Sequence, residues 1–189
     1  MSGFKLVGIA GSFNRPSKTL ALVRHVAERA SIRYGFSSKT YDLHDVGPSL
    51  GGAFVAQGPR RSRQASRRRD RKGPDVVDYW FARLTRGSYP RPFSNTLIDL
   101  IDPQELRAKP IIITATGGGD RHALMVEHQL RPLFGFFMAH TLPTAVYASD
   151  RDFADYAVSS DALSNRIGEV VGELSAFFPE TRPAVAAAE

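Results

Sequence analysis

The stretch Gly11-Ser-Phe-Asn-Arg-Pro-Ser-Lys-Thr19 gathers three hydroxyls and two cations ahead of a helical pattern. That combination suits an anion. Free backbone N–H groups and the positive end of a helix dipole attract phosphate, and Ser and Thr hydroxyls can donate to it. The Gly-Lys-Ser/Thr ending of a triphosphate loop and the Gly-x-Gly-x-x-Gly of a dinucleotide site are both absent. The loop therefore fits a mononucleotide phosphate better than a triphosphate or pyrophosphate, and an ordinary capped helix start stays open. A second stretch, Thr116-Gly-Gly-Gly-Asp-Arg-His122, carries three consecutive glycines. Backbone without side chains can approach a flat ring closely. His122, Glu127 and His128 do not have the His-Glu-x-x-His spacing. On one helix, positions 122 and 128 fall on different faces. They are expected on a helix surface or interface, and no metal or protein catalytic residue is assigned.

Both loops need elements to hold them. Residues 4–10 form a short apolar, β-branched run that predicts a buried strand. Leu20, Leu22, Val23, Val26, Ala27 and Ala30 then recur at helical spacing, with Ser17 and Thr19 as N-cap candidates. Further strands are predicted over 39–43, 110–115 and 144–148, with a loop over 45–52. Residues 97–102 read as the end of an amphipathic helix stopped by Pro103. Helices are predicted over 121–137 and 161–178, and a frayed tail over 181–189. Alternating strands and helices, with strands apolar on both faces, predict an α/β fold: a doubly wound parallel sheet in three α/β/α layers. Ligands in such sheets sit at the carboxyl ends of the strands, where both loops emerge.

The chain of 189 residues is 42% hydrophobic and 23% charged, enough for one globular domain, expected over 1–180. It has no cysteine, which excludes disulfides, thiolate nucleophiles and Cys-ligated metals. No apolar run reaches the roughly 20 residues of a membrane span, and no signal-peptide pattern opens the chain, so a cytoplasmic protein is expected. Residues 59–72 hold seven Arg, one Lys and one Asp, a local +7 against +6 for the whole chain, which leaves −1 elsewhere. The basicity belongs to one tract without interleaved aromatics or a nucleic-acid motif, so nucleic-acid binding is not expected.

The first loop resembles the opening of the NAD(P)H-dependent FMN reductases of flavodoxin-like fold, Gly-Ser-x-x-Arg-x-Ser-x-Thr, with Gly11, Ser12, Arg15, Ser17 and Thr19 in place. The run 115–124 is also similar, and Glu127-His-Gln-Leu-Arg-Pro-Leu-Phe134 resembles the sulfonate-utilisation branch. The resemblance implies that Ser12, Ser17 and Thr19 bind the FMN phosphate with Arg15 nearby. It also implies that Thr116, Gly117, Gly118 and Gly119 touch the flavin ring. It further implies NAD(P)H as hydride donor, an FMNH2-dependent monooxygenase as recipient, and a homodimer or homotetramer. A quinone or azo reductase that retains FMN stays open, as does a non-catalytic phosphate- or nucleic-acid-binding module.

The resemblance holds over 4–52 and 97–178 and fails between them. The family's second ring loop is matched only at Gly87-Ser-Tyr89 and Phe93, and Asp78–Arg86 is a poor match to a buried strand. Among the synonymous codons open to Asp78–Ala82, the choice GAT TAT TGG TTC GCC, read one base forward, gives Ile-Ile-Gly-Ser and the start of Pro. Synonymous codons can likewise be chosen at 69–72, 83–86 and 94–96 so that one-base shifts give Val-Ile-Ala-Lys, Pro-Thr-Tyr-Lys and Phe-Lys-His. The expectation is that 57–96 is largely out of frame in the gene or its sequencing. The Arg-rich tract is then a by-product of that shift.

Overall fold

A computed structural model describes residues 4–12, 14–45 and 101–180, together with the backbone of 76–83. The basic tract, the ring-loop remnants at 87–93, residues 97–100 and the tail expected over 181–189 lie outside the described residues.

Strand β1 (Lys5–Gly11) leads into helix α1 (Lys18–Tyr34), and β2 (Ser37–Asp42) follows. Ser17 is the N-cap of α1, its Oγ accepting the Leu20 N–H at 3.2 Å. Gly35 ends the helix at φ 69°, a left-handed position that glycine takes without strain. Strand β3 (Val76–Arg83) lies between β1 and a later strand, β5 (Ile113–Gly117). This corrects the reading of Asp78–Arg86 as a poor strand: residues 76–83, as written, form the central one. Val76, Val77, Tyr79, Trp80 and Phe81 supply strong β propensity, and two flanking strands pair the backbone.

The helix end expected over 97–102 falls largely outside the described residues, and Pro103 opens a helix of its own. It occupies the first turn of α2 (Pro103–Leu106), and Asp102 caps that turn by accepting the Gln104 N–H at 3.1 Å. Proline is favoured where the missing N–H would go unused, so this is a start signal. The strand expected over 110–115 divides into β4 (Pro110–Ile111) and β5. The helix expected over 121–137 is likewise broken. It becomes a 3-10 turn (Asp120–His122), a π-turn (Val126–Leu130) and α3 (Arg131–Phe136). The Arg131 N–H reaches back to the Val126 carbonyl, five residues away. Pro132 has no N–H for His128 and would crowd its carbonyl in α geometry, so a widened turn precedes it.

Strands β6 (His140–Thr141) and β7 (Val146–Ser149) follow. A small antiparallel pair, β8 (Phe153–Ala154) and β9 (Ala157–Val158), comes before α4 (Asp161–Glu173). The main sheet has the parallel order β2-β1-β3-β5-β7, the flavodoxin-like doubly wound arrangement. Alternation divides its side chains between two cores. Leu6 and Ala10 of β1 and Val146 and Ala148 of β7 pack with α1 and α4, whereas Ile113 and Ala115 of β5 pack with Met125, Leu130 and Phe134. No helix among the described residues is long and apolar enough to cross a membrane.

Candidate functional site at the carboxyl edge of the sheet

Register brings the strand ends level. Gly11 lies beside Ala82, Arg83 beside Thr116, and Gly117 beside Ser149. The loops after β1, β5 and β7 therefore leave one edge. They enclose a cavity of about 270 Å³. Asn14, Pro16, Ser17, Lys18 and Thr19 line it from the first loop, and Thr116, Gly117 and Gly118 from the second. Asp150, Phe153 and Tyr156 close it from the segment after β7. The order β2-β1-β3 makes the chain diverge beside β1, which is where this sheet class opens a crevice.

The predicted site residues take different positions around this cavity. Ser17, Thr19, Thr116, Gly117 and Gly118 line it. Ser12 is buried at the end of β1, its Oγ accepting the Asn14 N–H at 3.2 Å. Arg15 points to the end of β2. Its Nε and Nη2 donate to Asp42 at 2.7 and 2.8 Å, and Nη2 also reaches Asp45 at 3.0 Å. Burial alone would push the Asp42 carboxyl up. The guanidinium and the backbone N–H groups of Asp45 and His44 outweigh that and hold it below the ordinary carboxylate range. Ser12, Arg15 and Gly119 are not among the lining residues. They brace the loops, and Gly119 does so through its carbonyl.

Thr19 and Thr116 share a hydrogen bond of 2.7 Å between their Oγ1 atoms, both side chains being buried. It ties the first turn of α1 to β5. Gly117 is required by a close approach: a Cβ there would come within 2.1 Å of the Tyr147 hydroxyl. That hydroxyl donates to the Gly119 carbonyl at 2.6 Å and so pins the glycine loop. Burial pushes the Tyr147 phenol up, and the carboxylates of Asp120, Asp150 and Asp152 add to the effect. Gly118 and Gly119 face open space, apart from Asp150 Oδ2 at 3.7 Å from a Cβ on Gly118.

Sequence reasoning missed the groups contributed after β7. Lys18 Nζ lies 2.7 Å from Asp150 Oδ1, and Arg151 pairs with Asp120 at 2.7 Å. Ser149 and Asp152 form a capping box that shapes this turn. The rule that ligands sit at carboxyl strand ends applied equally to the strand predicted over 144–148 and would have found Asp150. Glu127 does not reach the cavity; it pairs with Arg131, which also donates to the Leu142 and Pro143 carbonyls and fastens α3 to the loop before β7. His128 lies on the exposed side of the π-turn, whose Val126 and Leu130 are buried.

The donor set suits a phosphate-ester ligand. It comprises the N-terminus of a 17-residue helix, the Ser17 hydroxyl, the Lys18 ammonium, and a glycine loop whose open side admits a flat group. FMN fits these residues, having one phosphate and one planar ring.

Comparison with known proteins agrees with this chemistry. The family model described as NADPH-dependent FMN reductase matches residues 85–154. That match opens two residues after β3 ends and takes in Gly87-Ser-Tyr89 as written. The chain is 39% identical over 165 residues to the NADH-dependent FMN reductase SfnF of Pseudomonas fluorescens, covering 86% of each chain. It is 38% identical over 166 residues to an FMN reductase (NADPH) of Pseudomonas aeruginosa, covering 88% of each. In architecture it is similar to the apo form of an NADH:FMN oxidoreductase (EMOB), with a TM-score of 0.72 at 17% identity, covering 97% of this chain and 93% of that one.

Proposed function

Because the chain belongs to the NADPH-dependent FMN reductase family, we propose that it transfers a hydride from NAD(P)H to FMN. In the same proposal it releases the reduced flavin to a partner monooxygenase of sulfonate or organosulfur utilisation. The observation that carries this reading is the single cavity that Ser17, Lys18 and Thr19 share with Thr116, Gly117 and Gly118. Ser17 and the first N–H groups of α1 hold the phosphate, with Lys18 beside them. Ser12, Arg15 and the Thr19–Thr116 pair keep that loop in place. Thr116, Gly117 and Gly118 border the ring, and Tyr147 fixes the loop through the Gly119 carbonyl. FMN, when bound, supplies the hydride-accepting ring. The protein groups bind, orient and exclude water, and none is needed as an acid or base.

The reading is tested by titrating the chain with FMN and with riboflavin, and by following NAD(P)H oxidation with free FMN against quinones. Ser17→Ala should weaken FMN by about 1.5–3 kcal/mol, the value of a hydrogen bond to a charged group, and leave riboflavin nearly unchanged. Equal losses for both flavins would remove the phosphate assignment. Faster turnover of quinones than of free FMN would favour a reductase that retains its flavin.

We also infer a homodimer or homotetramer. Leu124, Phe136 and Met138 are 67%, 71% and 47% exposed around the π-turn and α3, an apolar surface that self-association would cover. Sedimentation equilibrium of the wild type and of Phe136→Ser tests this. A monomeric wild type overturns it. In the same proposal the domain spans 1–180, with much of 57–96 out of frame.

A further inference from the structure

Asp150 is a carboxylate inside a cavity that is otherwise built for an anion. Its Oδ1 lies 2.7 Å from Lys18 Nζ, and its backbone carbonyl accepts from the same ammonium at 3.4 Å. Its Oδ2 faces the glycine loop, 3.7 Å from where a Cβ on Gly118 would stand. Ser17, Lys18, Gly118 and Asp150 line the same space. Lys18 is the first residue of α1, so its ammonium stands where the helix dipole already favours negative charge. The side chains of Lys18 and Asp150 are 31% and 61% exposed. A pair as open as this adds little to stability, so its placement in the cavity calls for another explanation.

We propose, resting on the FMN reading above, that Asp150 is an internal stand-in for the flavin phosphate. It engages Lys18 in the free protein, yields that cation when the phosphate enters, and stays beside the phosphate as a like charge. Two consequences follow from electrostatics. The incoming phosphate must break an existing ion pair instead of meeting a free ammonium. The displaced carboxylate then repels the phosphate across a few ångströms. Both lower the affinity for FMN without touching the ring. A flavin that leaves as product after each hydride transfer needs such a limit, whereas a retained prosthetic group does not. Asp150 is thus a specificity-determining residue that keeps FMN exchangeable.

The test is the affinity of wild type, Asp150→Asn, Asp150→Glu and Lys18→Met for FMN and for riboflavin, read by flavin fluorescence at low and high salt. Asp150→Asn should bind FMN about tenfold more tightly, with riboflavin changed by less than about twofold, and the gain should shrink as salt screens the charges. Asp150→Glu, which keeps the charge, should behave as wild type, and Lys18→Met should weaken FMN alone. FMN affinity that is unchanged or lower in Asp150→Asn, or a riboflavin gain equal to that of FMN, overturns the proposal while leaving the flavin reading intact. A wild type that binds no FMN removes both.

Discussion

Thr19 and Thr116, 97 positions apart in the chain, meet hydroxyl to hydroxyl at 2.7 Å beneath the cavity wall. Each is buried, so each is the other's means of satisfying a polar group away from water. Thr116→Val should therefore cost about 1–3 kcal/mol, because it strands the Thr19 hydroxyl, and Thr19→Val should cost a similar amount. The double Val variant should recover much of that loss, since two apolar groups of the same shape leave nothing unpaired. Urea unfolding of the four proteins measures the cycle. Additive losses would show that the two hydroxyls do not depend on each other.

Gly117 and Tyr147 make a second interdependent pair. Gly117→Ala would drive a methyl group against the Tyr147 hydroxyl and break its bond to the Gly119 carbonyl. A loss of about 1–3 kcal/mol is expected, the usual cost of overpacking. Adding Tyr147→Phe removes the clashing atom and should restore part of the stability, with the ring still close. It should not restore the position of the glycine loop, so flavin affinity should stay low in the double variant. Thermal melts and FMN titration separate the two effects.

Two of the shifted groups, His25 and Asp42, give the protein a pH dependence in separate windows. Burial, with Arg29 adding and Glu28 opposing, holds His25 below its ordinary value of 6.5, and its Nε2 is buried without a partner among the described residues. The unfolded chain then takes up a proton near 6.5 before the folded chain does, so stability is full above that pH and falls as pH drops through it. Asp42 is also held low, so its contribution is present above the ordinary 3.8 and is lost as pH falls below it toward the folded value. His25→Gln should flatten the upper window, and Asp42→Asn should make the lower one shallower, with Glu127 and Asp152, also held low, supplying the rest. Urea midpoints measured from pH 8 to 3 decide this. A His25→Gln profile that parallels wild type between pH 7 and 5 would be inconsistent with the His25 assignment.

The segment 57–96 makes a prediction at the level of the gene. If much of it is out of frame, the coding DNA should encode the second ring loop in its other frames. A chain restored to Ile-Ile-Gly-Ser-Pro-Thr-Tyr-Lys over 78–86 and to Leu-Phe-Lys-His beyond should then reduce FMN faster than the chain as written. The restored loop would leave β3 at the strand end beside Thr116, next to the cavity. Equal turnover of the two chains would show that the residues as written are a working variant.

The local features were legible because their causes lie within a few residues. The Ser17 cap, the apolar period of α1 and the β-branched runs of β1 and β5 are short-range signals, and the strand–helix alternation was enough for a doubly wound parallel sheet. The break in the helix expected over 121–137 was not legible, because a proline such as Pro132 can start, stop or widen a helix, and which of these occurs depends on the capping group and the carbonyl four residues back. The central strand was misjudged for a related reason: a residue such as Asp78 argues against burial, while backbone pairing on both sides argues for a strand, and the fold satisfies the pairing. The partners of the site residues could not be read at all. Arg15 finds Asp42, Lys18 finds Asp150 and Tyr147 finds the Gly119 carbonyl only after the order β2-β1-β3-β5-β7 has brought distant strand ends level at one edge. Sequence by itself marked two loops as candidates for an anion and a flat ring, and both border one cavity in the structure. The tertiary structure decided which charges face each other across the cavity, because strand order and register set those distances and spacing along the chain does not.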